Sequence, residues 1–139
     1  MSHGFQLTFD ANDPPALAAF WALALDYVEQ PPPPGFDSWE AFAAAHDMPA
    51  ESMGDYGAVV DPDGVGPRLL FLKVPEAKTA KNRLHMDIHV PDREAHVAKL
   101  VGAGGTLIDH RSELGVEWTV MEDPEGNVFC VAQEPPPTD

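Results

Sequence analysis

The stretch HMDIHVPD, residues 85–92, decides the fold. Met86, Ile88 and Val90 share one parity with Leu84 before them, and His85, Asp87 and His89 take the other. Successive side chains of an extended strand point to opposite faces, so RLHMDIHV (83–90) predicts a strand with an apolar face and a His-Asp-His face. Asp92 then stands where a helix cap is wanted, and Ala95, Val97, Ala98, Leu100 and Val101 supply the apolar positions of a helix running to about Leu100, stopped by GAGG (102–105). The same plan occurs earlier. FQLTFD (5–10) alternates, and Asp13 opens PPALAAFWALALDYV with Pro14 at the first helical position, where proline is tolerated. Gln6 lies seven residues before Asp13, as His85 lies seven before Asp92.

The repeat extends to the chain that follows each helix. YGAVVD (56–61) and RLLFLKV (68–74) predict strands in the first half, the second apolar throughout and expected to be buried on both faces. GTLIDH, VEWTVME and NVFCVAQ predict three strands in the second half. The turns DPDG (61–64) and DPEG (123–126) match, with proline second and glycine fourth. Leu17, Phe20, Trp21, Ala24, Tyr27 and Val28 recur at helical spacing and read as core. PPPPG (31–35) is expected to end that helix. Within the inserted segment 30–55, Asp37 and Glu40 stand at capping-box spacing, and Trp39 and Phe42 would form a lid or an interface.

Each half is read as βαβββ, with the first enlarged by the segment 30–55. A four-stranded half exposes a sheet face that it cannot cover alone, so the halves are expected to pair. The predicted fold is α+β: two paired βαβββ modules forming a curved mixed sheet around a cleft. A single domain would cover 1–134, with module one at about 4–75, module two at about 82–134, and 135–139 as a proline-rich tail.

Composition narrows the function classes. The chain has 139 residues, 44% of them apolar, and a formal charge of −15, which argues against nucleic acid or an anionic membrane as partner. No apolar run approaches the roughly 20 residues of a membrane span. MSHGFQLTFD lacks a basic start and an apolar signal core, and Cys130 is the single cysteine, so a cytoplasmic protein without disulfides is expected. Residues 68–83 carry five cations and one acid, a +4 segment on a body of −19, and such a patch could receive a carboxylate or phosphate. Neither a phosphate-cradling Gly-Lys-Ser loop nor a Gly-x-Ser-x-Gly elbow occurs.

The paired modules, the His85-to-Asp92 start and the closing DPEGN resemble the vicinal oxygen chelate superfamily, in its glyoxalase-like branch. This superfamily includes glyoxalase I, bleomycin resistance proteins and extradiol dioxygenases. Metal-using relatives hold their ion at four positions, which the resemblance carries onto Gln6, Leu70 (or Phe71 if the turn is one residue longer), His85 and Cys130. Two expected carboxylates are thus a leucine and a cysteine. A hard divalent ion wants oxygen and imidazole ligands, so no metal or other cofactor is predicted.

His85 and Asp87 are expected to line one wall of the cleft, His85 the deeper, with His89 facing solvent. An imidazole touching a carboxylate would be a proton carrier near neutral pH, which makes His85 the catalytic candidate. The ligand-binding expectation covers Gln6, Arg68, Leu70, Arg83, His85, Asp87, Trp118 and Cys130. The expected function is small-molecule binding, of the resistance or sequestration type without metal chemistry. The alternative is a metal-dependent lyase, isomerase or dioxygenase. A homodimer is expected from the exposed sheet edges.

Overall fold

A computed structural model describes residues 1–138. The chain divides into two compact units, Met1–Ala77 and Lys78–Asp139.

The first unit contains β1 (Leu7–Ala11), α1 (Pro14–Leu25), β2 (Val28–Glu29), α2 (Trp39–Ala45), a short 3₁₀ helix at Ala50–Asp55, β3 (Tyr56–Val60) and β4 (Leu69–Lys73). The strands order as β1-β4-β3-β2, with β1 parallel to β4 and the other pairs antiparallel. Asp13 caps α1 as expected, its carboxylate accepting from the Ala16 N–H. The helix lays Leu17, Phe20, Trp21 and Ala24 into a core that includes Val59, Leu69 and Phe71. Contact is close at Gly57, where a Cβ would lie 2.8 Å from the Pro14 carbonyl oxygen and 3.0 Å from the Ala18 methyl. A glycine there lets α1 settle directly on β3.

Several local expectations need correcting. The helix ends at Leu25, not at the prolines: Asp26 turns left-handed (φ 55°) and the Tyr27 N–H returns to the Ala22 carbonyl. Tyr27 and Val28 therefore leave the helix, and Val28 enters the short strand β2, half exposed. Ser38, not Asp37, caps α2, because its hydroxyl is the group that meets the Ala41 N–H. In β4 burial alternates: Leu69 and Phe71 are buried against α1, while Leu70 and Leu72 are half-buried on the opposite face. A continuous apolar run thus covers one closed face and one open face.

The second unit repeats the architecture with β5 (Asp87–Val90), α3 (Arg93–Gly102), β6 (Thr106–Glu113), β7 (Val116–Glu122) and β8 (Val128–Gln133), ordered β5-β8-β7-β6. Asp92 caps α3 as predicted, accepting from the Ala95 N–H. Val97 and Leu100 pack with Met121, Phe129 and Val131 in the unit's buried core. Arg93 is also buried: its guanidinium donates to the Thr119 hydroxyl at 2.7 Å and lies 3.7 and 3.8 Å from Glu94 and Glu117. Strand β5 begins at Asp87, later than the expected 83, and Leu84 is exposed. Together the units are two βαβββ modules of an α+β fold.

The matched turns close in the same way. The Gly64 and Gly126 N–H groups donate to the Asp61 and Asp123 carbonyls, both glycines at positive φ. The Asp61 carboxylate accepts from the backbone of Gly66, Asp63 and Val65, which holds its pKa below the ordinary value, Gly66 contributing most. The Asp123 carboxylate accepts from the backbone N–H groups of Glu125 and Asn127 and from the Asn127 side-chain amide.

Candidate functional site

α3 covers one face of the second sheet, the face of Thr119, Met121, Phe129 and Val131. By the two-residue alternation of strands, Asp87, Trp118, Val120 and Cys130 lie on the other face. The parallel register of β5 and β8 puts Asp87 directly opposite Cys130. The Cys130 N–H donates to the Met86 carbonyl at 2.9 Å, which keeps the chain before β5 against β8. His85, two residues before Asp87, therefore falls on the same side, and its Nδ1 lies 3.1 Å from Asp87 Oδ1. One ligating atom from each of His85, Asp87 and Cys130 lies within 4.8 Å of the others.

Exposure differs across this trio. Cys130 is buried, while the His85 and Asp87 side chains are 43% and 54% exposed, so His85 is not deep. Burial pushes the Cys130 thiol up from 9.0 to about 11; the Asp87 charge and a hydrogen bond to Asp87 add to this, and Arg111 and Lys81 oppose it. At neutral pH the Cys130 thiol of this trio keeps its proton. The trio offers hydrogen-bond donors and acceptors to a polar ligand, and the thiol is not a ready nucleophile.

Trp118 is half-buried on the same sheet face, opposite Ala132 on β8 and Arg111 on β6. Arg83 is exposed, with no hydrogen bond or ion pair among the described residues, and His89 is exposed as expected. The other expected residues belong to the first unit. Leu70 pairs with Thr8 and Ala58 on the open face of that sheet. Gln6 precedes β1, and its Oε1 accepts from Arg68 Nη1 at 3.0 Å. Arg68 also donates from Nε to Gln30 Oε1 at 2.6 Å. Gln30 was outside the expected site because its segment falls outside the repeat, and no sequence signal links it to Arg68. Trp39 serves that connection: its indole N–H donates to the Gln30 carbonyl at 2.9 Å.

The family positions for a divalent ion can be tested on these contacts. Leu70 has no donor atom, the Gln6 amide oxygen is engaged by a guanidinium, and Cys130 offers sulfur where a hard ion takes a carboxylate oxygen. This donor chemistry does not fit a hard Lewis-acidic ion.

Residues 6–132 match the family described as the glyoxalase-like domain. Among solved structures, a glyoxalase/bleomycin resistance protein/dioxygenase family enzyme from Burkholderia phytofirmans PsJN is similar, with TM-score 0.63 and 16% identity over 92% of this chain and 95% of that one. The fosfomycin resistance protein FosX from Listeria monocytogenes is similar with TM-score 0.66 and 9% identity over 98% and 96% of the two chains. A mutant of the Listeria protein, complexed with Mn(II) and 1S,2S-dihydroxypropylphosphonic acid, is similar with TM-score 0.65 and 10% identity over 95% and 90%. No curated protein matches the chain. Among the described residues, no helix is long and apolar enough to cross a membrane.

Proposed function

The chain belongs to the glyoxalase-like domain family, and from that premise we propose that it binds a small organic molecule on the open face of the second sheet. The observation that carries this reading is the convergence of His85, Asp87 and a protonated Cys130 beside the half-buried Trp118. An apolar wall with a few convergent polar groups is the usual make-up of a small-molecule site. Imidazole and carboxylate anchor the polar end of the ligand, and the indole covers its body. The similarity in fold to fosfomycin resistance proteins supports a binding or resistance role.

One observation favours a second reading. The trio supplies an imidazole, a carboxylate and a thiol, the donor types that zinc accepts, and this would suit a metal-dependent lyase, isomerase or dioxygenase. Elemental analysis and zinc, manganese, iron and nickel titrations of the purified protein separate the two. The expected result is no stoichiometric metal, together with a ligand from an antibiotic and organic-acid panel that raises the melting temperature and is lost on His85→Ala. One zinc per chain, abolished by both His85→Ala and Asp87→Ala, would reverse the ranking.

The homodimer is proposed at β6. This strand lies at the edge of its sheet with all eight residues exposed, and Leu107 and Ile108 are 51% and 50% exposed. Antiparallel pairing of two copies about His110 would set Asp109 of each opposite Arg111 of the other. In sedimentation velocity the wild type is expected to run as a dimer and the Leu107→Lys/Ile108→Lys double variant as a monomer. A dimer unchanged by that double substitution excludes β6 as the interface.

A further inference from the structure

We propose that Arg68 is the centre of an oxyanion site in the first unit, built to take the carboxylate or phosphonate head of a small molecule. The proposal concerns this unit alone and does not depend on the reading of the His85 trio.

The guanidinium is held by two bonds, from the residue before β1 and the residue after β2. Arg68 stands immediately before β4, where its carbonyl accepts the Leu7 N–H, and in this register Gln6 lies opposite it. Nη1 donates to the Gln6 amide oxygen and Nε to that of Gln30. Both partners are themselves fixed. The Gln30 N–H donates to the Ala58 carbonyl, its own carbonyl accepts the Trp39 indole, and the Gln6 amide reaches the Thr8 hydroxyl at 3.4 Å. A long side chain that has already lost its rotamer freedom loses less on binding a ligand.

The charge is what these contacts leave unanswered. Both partners of Arg68 are neutral amides, and among the described residues no carboxylate lies within ion-pair distance of it. Arg93 has Glu94 and Glu117 nearby, and Arg111 has Asp109. On a chain with 23 acidic residues, a half-buried arginine held by neutral oxygens keeps its charge for something else. Of its five N–H donors two are used, and the second Nη1 hydrogen and both on Nη2 remain for a planar or tetrahedral oxyanion. Leu70 and Leu72 follow on the same side of β4, half-buried, with Ala58 and Tyr56 paired opposite them on β3. They form an apolar shelf next to the cation. The ligand class that fits is an organic carboxylate or phosphonate with an apolar body.

A purely bracing role needs only donors, not charge, so Arg68→Gln separates the two. Calorimetric titration of the full chain at constant ionic strength would use phenylphosphonate and benzoate as probes and benzamide as the uncharged control. Saturable binding of at least one anion and none of benzamide is expected, with the preferred anion identifying the head group. Arg68→Gln should weaken that binding by about tenfold or more. Arg68→Lys, which keeps charge but loses the fork, should weaken it measurably and covers the case in which the glutamine variant does not fold. No saturable anion binding to the wild type, or affinity unchanged in a folded Arg68→Gln or Arg68→Lys protein, overturns the proposal. Anion binding that persists in Arg68→Gln but is lost on His85→Ala would place the anion at the second unit and remove this proposal.

Discussion

Trp21→Ala is expected to cost about 3–5 kcal/mol of folding stability, read from the shift of the urea midpoint at unchanged m. Trp21 is 1% exposed and packs against Phe9 at 5.4 Å between ring centroids and edge-on against Phe20 at 5.9 Å. Its removal leaves a cavity bounded by a helix that Gly57 already holds tightly to β3, so the surroundings can close only in part. A domain of this size has about 5–15 kcal/mol in all, and the variant would sit near the edge of folding. Trp118→Ala is the control. That side chain is half-buried on an open sheet face, and its loss should cost about 1 kcal/mol. Equal losses at the two tryptophans would mean that Trp118 is covered in solution, as a closed cleft or a dimer would require.

Cys130 should be a slow thiol with an unusual pH profile. With the thiol pushed up from 9.0 to about 11, its thiolate fraction at pH 8 falls by about a hundredfold. The more basic thiolate is a better nucleophile and recovers part of this, so iodoacetamide should react about tenfold to a hundredfold more slowly than with an ordinary cysteine. The rate should go on climbing past pH 9.0 with its midpoint near 11, and Asp87→Asn should bring that midpoint down because the Asp87 charge helps to raise it. A midpoint at 9.0 in the native protein, or one indifferent to Asp87→Asn, would show that the Asp87–Cys130 juxtaposition is not formed. The linkage has a definite sign. A thiol whose pKa is raised on folding contributes its stability fully below the unfolded value, and that contribution is lost as pH rises through about 11.

Elements with local signatures were legible in the residues. Asp13 and Asp92 cap their helices because an aspartate side chain meets N–H groups only a few residues away. The paired Asp-Pro-x-Gly turns close as expected for the same reason. Legibility faded where two local signals competed. Asp37 and Ser38 both suit a cap, and the one whose oxygen reached Ala41 prevailed. The prolines at 31–34 looked like the end of the first helix, yet Asp26 ended it sooner and freed Val28 for β2. The alternation of HMDIHV named His85 and Asp87 as neighbours, and their 3.1 Å contact agrees.

The sequence by itself determined the repeat, the α+β class and the shared face of His85 and Asp87, because periodicity, caps and turns act over a few residues. Only the tertiary structure decided that Cys130 stands across from Asp87, that its thiol is held by burial and a neighbouring carboxylate, and that Gln6 and Gln30 both hold Arg68. Those facts follow from strand register and from which distant strand ends meet, and no spacing along the chain encodes them.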